Sequence, residues 1–108
     1  MGNDIKELAN YVEALAGRDH AANEAISRHF GSCGTVRPYT ECLRTAIDLV
    51  PSGYCPGVSQ SAWTGMWHAW VGAIVNDEPV CMGKADALTA PLALVAASLR
   101  AHSYLEEA

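Results

Sequence analysis

Residues 62–75 read AWTGMWHAWVGAIV, and all three tryptophans of the chain fall inside this stretch. Written as a strand, it places Trp67, Ala69, Val71, Ala73 and Val75 on one face and Met66, His68, Trp70, Gly72 and Ile74 on the other. Neither face is polar. A sheet wetted on one side shows clean alternation, whereas a strand covered on both sides reads as a near-continuous apolar run. The stretch therefore predicts a strand with helices over both faces of its sheet.

The neighbouring segments supply the rest of a small, mainly antiparallel three-stranded sheet. Residues 54–60, YCPGVSQ, contain Pro56, which cannot donate to a ladder, and Gly57, which weakens pairing, so this strand belongs at an edge or a bulge. Asn76 to Pro79 turn the chain, residues 80–82 (VCM) form a short return strand, and residues 84–87 are a link.

Four amphipathic segments are available to cover the sheet. In residues 3–17, Ile5, Leu8, Val12 and Leu15 recur at helical spacing, Asp4 and Glu7 resemble a capping box, and Gly17 can end the helix. A second helix starts at the cap Asp19, carries the stripe Ala22, Ile26 and Phe30, and stops at Gly31. Residues 32–39, SCGTVRPY, connect it onward, with Gly34 and Pro38 as punctuation. Thr40 is placed to cap a third helix, TECLRTAIDLV, with Leu43, Ala46, Ile47 and Val50 inward and Pro51 as its stop. The last helix covers residues 89–105, with Pro91 in its first turn and Leu92, Val95, Leu99 and Leu105 as its stripe.

The order of these elements and several local phrases resemble the phage ABA sandwich domain family. The phrases are EALAGRDHAANEAISRHFG at 13–31, RPYTECLRTAIDLVPSG at 37–53 and ALTAPLALVAASLRA at 87–101, while CPGVSQSAWTG at 55–65 departs from the pattern. The resemblance spans nearly the whole chain and rests mainly on Pro38, Tyr39, Thr40, Leu49, Val50, Pro51, Gly53, residues 89–94 and residues 99–101. It implies an α+β fold built as a three-layer α/β/α sandwich, in a phage or prophage protein acting inside a bacterial cell. It implies no reaction, because the family offers no catalytic residues to carry over.

Composition narrows the function classes. With 108 residues the chain is expected to form one domain, 1–108. The formal net charge is -5 and no lysine or arginine run occurs, which argues against direct nucleic-acid binding, since a phosphate groove needs clustered cations. The start MGNDIKELAN lacks the basic region and apolar stretch of a signal peptide, and no apolar run is long enough to span a bilayer, so a cytoplasmic protein off the membrane is expected.

Cys33, Cys42, Cys55 and Cys81 form no CxxC pair and are expected as reduced thiols, some packed as small hydrophobes. His29 and Cys33, four apart, are the one close pair of zinc-type ligands, and no metal or other cofactor is assigned from it. GSCG at 31–34 has neither the lysine nor the preceding strand of a phosphate loop. No local signature supports a cysteine–histidine nucleophile, and no catalytic residue is assigned. His68 reads as a satisfied core histidine sooner than as a ligand or pH switch.

Of the tryptophans, Trp67 and Trp70 fall on opposite faces, so they cannot share one flat recognition patch, and at least one is expected to pack under helices. Trp63 precedes the strand beside Gly65 and can stay partly exposed as an interface anchor. With Arg37, Tyr39 and Tyr54 it forms the expected contact set, unless these residues only close the ends of the core. The leading expectation is a non-enzymatic phage or prophage accessory protein that binds a host macromolecule, such as a defence complex, and inhibits or redirects it. The alternative is a protein that sequesters a nucleotide signal between subunits, with Arg37, Tyr39 and Trp63 cradling base and phosphate. A homodimer formed by extending the sheet at residues 54–60 belongs to that alternative, although Pro56 discourages it.

Overall fold

The computed structural model describes residues 2–30 and 36–107. In chain order the elements are α1 (Gly2–Glu13), α2 (His20–His29), α3 (Leu43–Ile47), β1 (Cys55–Gln60), β2 (Trp67–Val75), β3 (Glu78–Ala87) and α4 (Ala90–Glu107). The class is α+β, with four helices and one antiparallel sheet of order β1-β2-β3 among the described residues. Gly31, Cys33 and Gly34 lie outside the described residues, as does the side chain of Asp4. The expected stop of the second helix, most of the connector and the expected capping box fall there.

β2 is the sheet's central strand because its two neighbours arrive by tight connections. Asn76 (φ 54) and Asp77 (φ 65) are both left-handed, the combination a two-residue hairpin turn requires, and they return the chain into β3. β3 is longer than the expected VCM strand. Residues 84–87, read as a link, continue it and pair Lys84 with Trp70, Ala85 with Ala69, Asp86 with His68 and Ala87 with Trp67. The period of two was present in Gly83, Ala85 and Ala87 (buried) against Lys84 and Asp86 (exposed), but small residues lack the β-branched and aromatic signature of a strand. The ladder shifts between Val71 and Gly72, whose partners are Gly83 and Cys81, leaving Met82 as the extra residue of a bulge.

The core is organised around α4. All eight residues from Leu92 to Leu99 are no more than 1% exposed, so this helix is covered on every side. It packs against all three strands and against α1 and α3. Its approach to the sheet is set by Gly83, where an added Cβ would stand 2.2 Å from the Ala97 carbonyl oxygen and 2.6 Å from the Ala101 nitrogen. Thr89 opens the helix by accepting from the Leu92 and Ala93 N–H groups through its hydroxyl (3.4 Å) and carbonyl (3.0 Å).

α4 meets one face of the sheet. On that side Ala69, Val71, Ala85 and Ala87 are buried, with Val58 and Trp67 packed against them. On the other side Trp70 is 49% and Ile74 69% exposed. The expected cover over both faces of β2 is thus met on one face among the described residues. The reason lies in α4 itself: being apolar all round, it takes α1 and α3 as its own outer cover.

The helices otherwise follow their stripes, with one exception. Ile5, Ala9 and Val12 of α1 and Ala22 and Ile26 of α2 are buried. Asp19 caps α2, accepting from Ala22 N–H at 2.8 Å. α3 is shorter than expected, and Leu43 and Ile47 face solvent while Ala46 and Leu49 are buried. Two local causes are visible. Thr40 does not cap α3: its N–H and its hydroxyl both donate to Asn23 Oδ1 (2.8 Å each), and its hydroxyl accepts from Asp19 N–H (2.8 Å), tying the segment to the start of α2. Beyond α3 the chain closes by i→i−3 bonds at Asp48, Leu49 and Val50, a tighter winding that turns Leu49 inward and leaves Ile47 outside.

One ion pair fastens α1 to the core layer. Arg100 of α4 donates to both carboxylate oxygens of Glu13 (2.8 Å each), to Asn10 Oδ1 (2.9 Å) and to the Lys84 carbonyl (2.9 Å), and Asp86 N–H donates to Glu13 Oε2 (3.0 Å). The Arg100 hydrogen bonds, with the Asp86 N–H, hold the Glu13 carboxyl below the usual carboxylate range against a partial desolvation.

Three outcomes follow for stability. Gly83→Ala forces α4 off β3 and should lower the unfolding free energy by about 3 kcal/mol, read from urea midpoints; an unchanged midpoint would show the contact to be loose. Ser98 Oγ is buried and lacks a partner among the described residues, so Ser98→Ala should raise stability by about 1 kcal/mol. A depressed carboxyl stabilises the fold above its unfolded pKa, and this contribution is lost as pH falls through the folded value. Glu13→Gln should therefore cost about 1 kcal/mol at neutral pH, after allowance for solvent screening, and should flatten the acid limb of a stability–pH curve.

Candidate interaction surface

Residues 61–66 join β1 to β2 and are held by their own hydrogen bonds. Ser61 N–H donates to the Met66 carbonyl and Gly65 N–H to the Ser61 carbonyl, both at 2.9 Å. The Ser61 hydroxyl accepts from Trp63 N–H (3.2 Å) and Thr64 N–H (3.3 Å), and the Thr64 hydroxyl accepts from Met66 N–H (3.2 Å). Gln60 Nε2 closes the base by donating to the Gly65 carbonyl at 3.2 Å. This ordered backbone carries a Trp63 that is 96% exposed. A large aromatic on a pre-organised loop meets a partner with little further ordering entropy to lose.

The other three residues of the expected contact set lie elsewhere. Arg37 NH2 donates to Asp48 Oδ2 (2.5 Å), its guanidinium sits 5.4 Å from the centre of the Tyr39 ring, and its N–H donates to Ser27 Oγ (3.1 Å). Tyr39 is 2% exposed, and Tyr54 is half-buried against the core. Arg37 and Tyr39 line a pocket of about 430 Å³ with Phe30, Asp48, Leu49 and His102. His102 Nε2 is 2.7 Å from the Leu49 carbonyl and its ring 4.8 Å from that of Phe30. The six residues of β1, at about 3.4 Å each, put Trp63 roughly 20 Å from Tyr54. Arg37 and Tyr39 share their pocket with Pro51, which accepts from Tyr54 N–H, so they lie at the Tyr54 end of β1 and within one chain form no nucleotide cradle with Trp63. Tyr39 and Tyr54 close the end of the core.

The outward face of the sheet is graded from polar to apolar. Its first row, nearest the Trp63 hairpin, is Ser59, His68 and Asp86, and its second is Gly57, Trp70 and Lys84. After the bulge come Cys55, Gly72 and Cys81, then Ile74 beside Pro79. The Trp70 indole lies over Gly57, where an added Cβ would be 2.1 Å from its Cε2. Trp70, Ile74, Pro79, Val80 and the two cysteines line an apolar groove of about 450 Å³ around Gly72.

His68 is a surface residue of this face, not a core one. Its Nδ1 is 2.5 Å from Asp86 Oδ1. Ser59 stands beside it in register and makes no hydrogen bond to the imidazole.

Cys42, Cys55 and Cys81 are free thiols, as expected, with Cys42 partly buried and Cys55 and Cys81 exposed. The Thr45 side-chain hydrogen bond and then the Thr45 and Arg44 backbone N–H groups push the Cys42 thiol down. Among the described residues no three His, Cys, Asp or Glu side chains are grouped to hold a metal ion, and no helix is long and apolar enough to cross a membrane.

Sequence reasoning marked Trp63 and passed over Trp70, Ile74, Cys55 and Cys81. The signal for Trp70 and Ile74 is the second apolar face of β2, which the sequence assigns to helix packing, while Cys55 on β1 and Cys81 on β3 carry no such signal. No family model matches the chain, and no curated protein or solved structure matches it.

Proposed function

We propose that the chain is a non-enzymatic binding module that docks on a host protein or complex through the Trp63 hairpin and inhibits or redirects it. The observation that carries this reading is a 96% exposed tryptophan on a loop whose backbone is already fixed by its own hydrogen bonds. Tryptophan is the side chain most enriched at binding hot spots, and a rigid loop spares the ordering penalty of association. The net charge of -5 favours a basic partner surface, since complementary potentials steer encounter. The phage or prophage setting, and with it the bacterial cytoplasm as site of action, rests on the resemblance carried by residues 13–31, 37–53 and 87–101.

Tagged protein incubated with host lysate should retain one host component in stoichiometric amount, identified by mass spectrometry. Trp63→Ala, which removes no core contact, should reduce that retention at least tenfold while leaving the melting temperature unchanged. Equal retention by the two proteins, or none by either at low and physiological salt, would overturn the reading.

A further inference from the structure

We infer that the outward face of the sheet is the interface of a homodimer, formed by stacking the β1-β2-β3 sheets of two copies face to face. This goes beyond the docking role of Trp63 and does not depend on it. The starting observation is the mismatch in β2. Its residues are apolar on both sides, as in a strand buried twice, yet the chain's helices cover one side and leave Trp70 at 49% and Ile74 at 69% exposure.

A second copy fits this face better than an arbitrary partner, because the face is complementary to itself. Trp70 and Ile74 stand at equal distances on either side of Gly72 along one strand. A two-fold axis lying between the sheets and crossing the strands at Gly72 sets Trp70 of each copy over Ile74 of the other, with the two glycines facing each other at the centre. Each bulky side chain then enters the groove that its counterpart bounds, the isologous arrangement a two-fold interface demands. Stacked sheets about 10 Å apart leave room for one interdigitated layer of such side chains.

Area and charge agree. β2 and β3 make a face of about 30 Å by 10 Å, widened by β1 to about 14 Å along Trp67 to Gly72, a size at the low end of specific interfaces and in keeping with a dimer that forms at micromolar concentration. The charged groups on the face are Lys84 and the paired His68 and Asp86, so the excess of acidic groups behind the net charge of -5 lies elsewhere on the chain. Pairing through the β1 edge is the poorer route, because Pro56 cannot donate to a ladder there.

The test is the mass of the full chain by light scattering over a concentration series, with Ile74→Lys alongside. The wild type should run at twice the chain mass at tens of micromolar, and Ile74→Lys should run as a monomer with an unchanged circular dichroism spectrum. A second measurement removes any dependence on the variant. Maleimide labelling of wild-type Cys55 and Cys81 should slow at least tenfold between dilute and concentrated protein, while labelling of Cys42 stays constant. A wild type that is monomeric throughout, a dimer undisturbed by Ile74→Lys, or labelling rates independent of concentration would each overturn the inference. Trp63→Ala should keep the dimer mass, so failure of this interface and failure of host docking are separately visible.

Discussion

The contact of Gly83 with the backbone of α4 sets the spacing of the whole molecule. A side chain at that position would meet the Ala97 carbonyl and the Ala101 amide, so the helix can lie on β3 only because nothing intervenes. Ala69, Ala85 and Ala87 keep the rest of the inner face equally low. A helix seated this deeply buries one side in the sheet and, with leucine, valine and alanine around its circumference, leaves its other sides needing cover. α1 and α3 supply that cover, and Arg100 ties the end of α1 to both α4 and β3. α1 and α3 are thereby committed to α4 and not to the second face of the sheet.

Much of this was legible in the residues. β2 and α4 are long, strongly apolar segments bounded by turn formers, and both stand where their patterns put them. The Asp19 cap and the edge position of β1 were readable from single residue types with one dominant structural use. What was not readable depended on tertiary detail. The second half of β3 is built from glycine and alanines chosen for closeness to a helix, and such residues carry no strand signature. Thr40 precedes a helical stretch and so looks like its cap, but Asn23, seventeen residues earlier, competes for the same hydroxyl and wins.

The candidate interaction surface was half legible for a related reason. Trp63 is flanked by turn formers, and a tryptophan there has no strand neighbours to bury it. Arg37, Tyr39 and Tyr54 joined it on chemical type alone, and type does not say which end of a strand a residue occupies. Arg37 is matched by Asp48 and Tyr39 lies in the core, so that end of the molecule has few unsatisfied groups to offer. The second apolar face of β2 reads in the sequence as a face under helices, and the structure leaves its Trp70 and Ile74 exposed. Covering it was then assigned to the chain's own helices, and their shortage becomes visible only once α4 is known to consume them.

These two surfaces lie on different parts of one rigid frame, and that separation has a functional consequence. In the proposed dimer, stacked about Gly72 with antiparallel strands, the two Trp63 hairpins would stand at opposite ends, with the Trp67 residues at their bases about 33 Å apart and the hairpins extending beyond. Each hairpin stays free, because the rows nearest it are the polar ones, Ser59 with His68 and Asp86, and the apolar groove lies toward the Asn76 turn. Against a partner that itself has two-fold or repeated sites, the second hairpin would bind at the high effective concentration of a tethered ligand, raising avidity without any new contact. A small acidic chain with a single aromatic anchor is a weak binder by area. Pairing of the open sheet faces, as proposed, would cover the exposed apolar patch and double the anchor in one step.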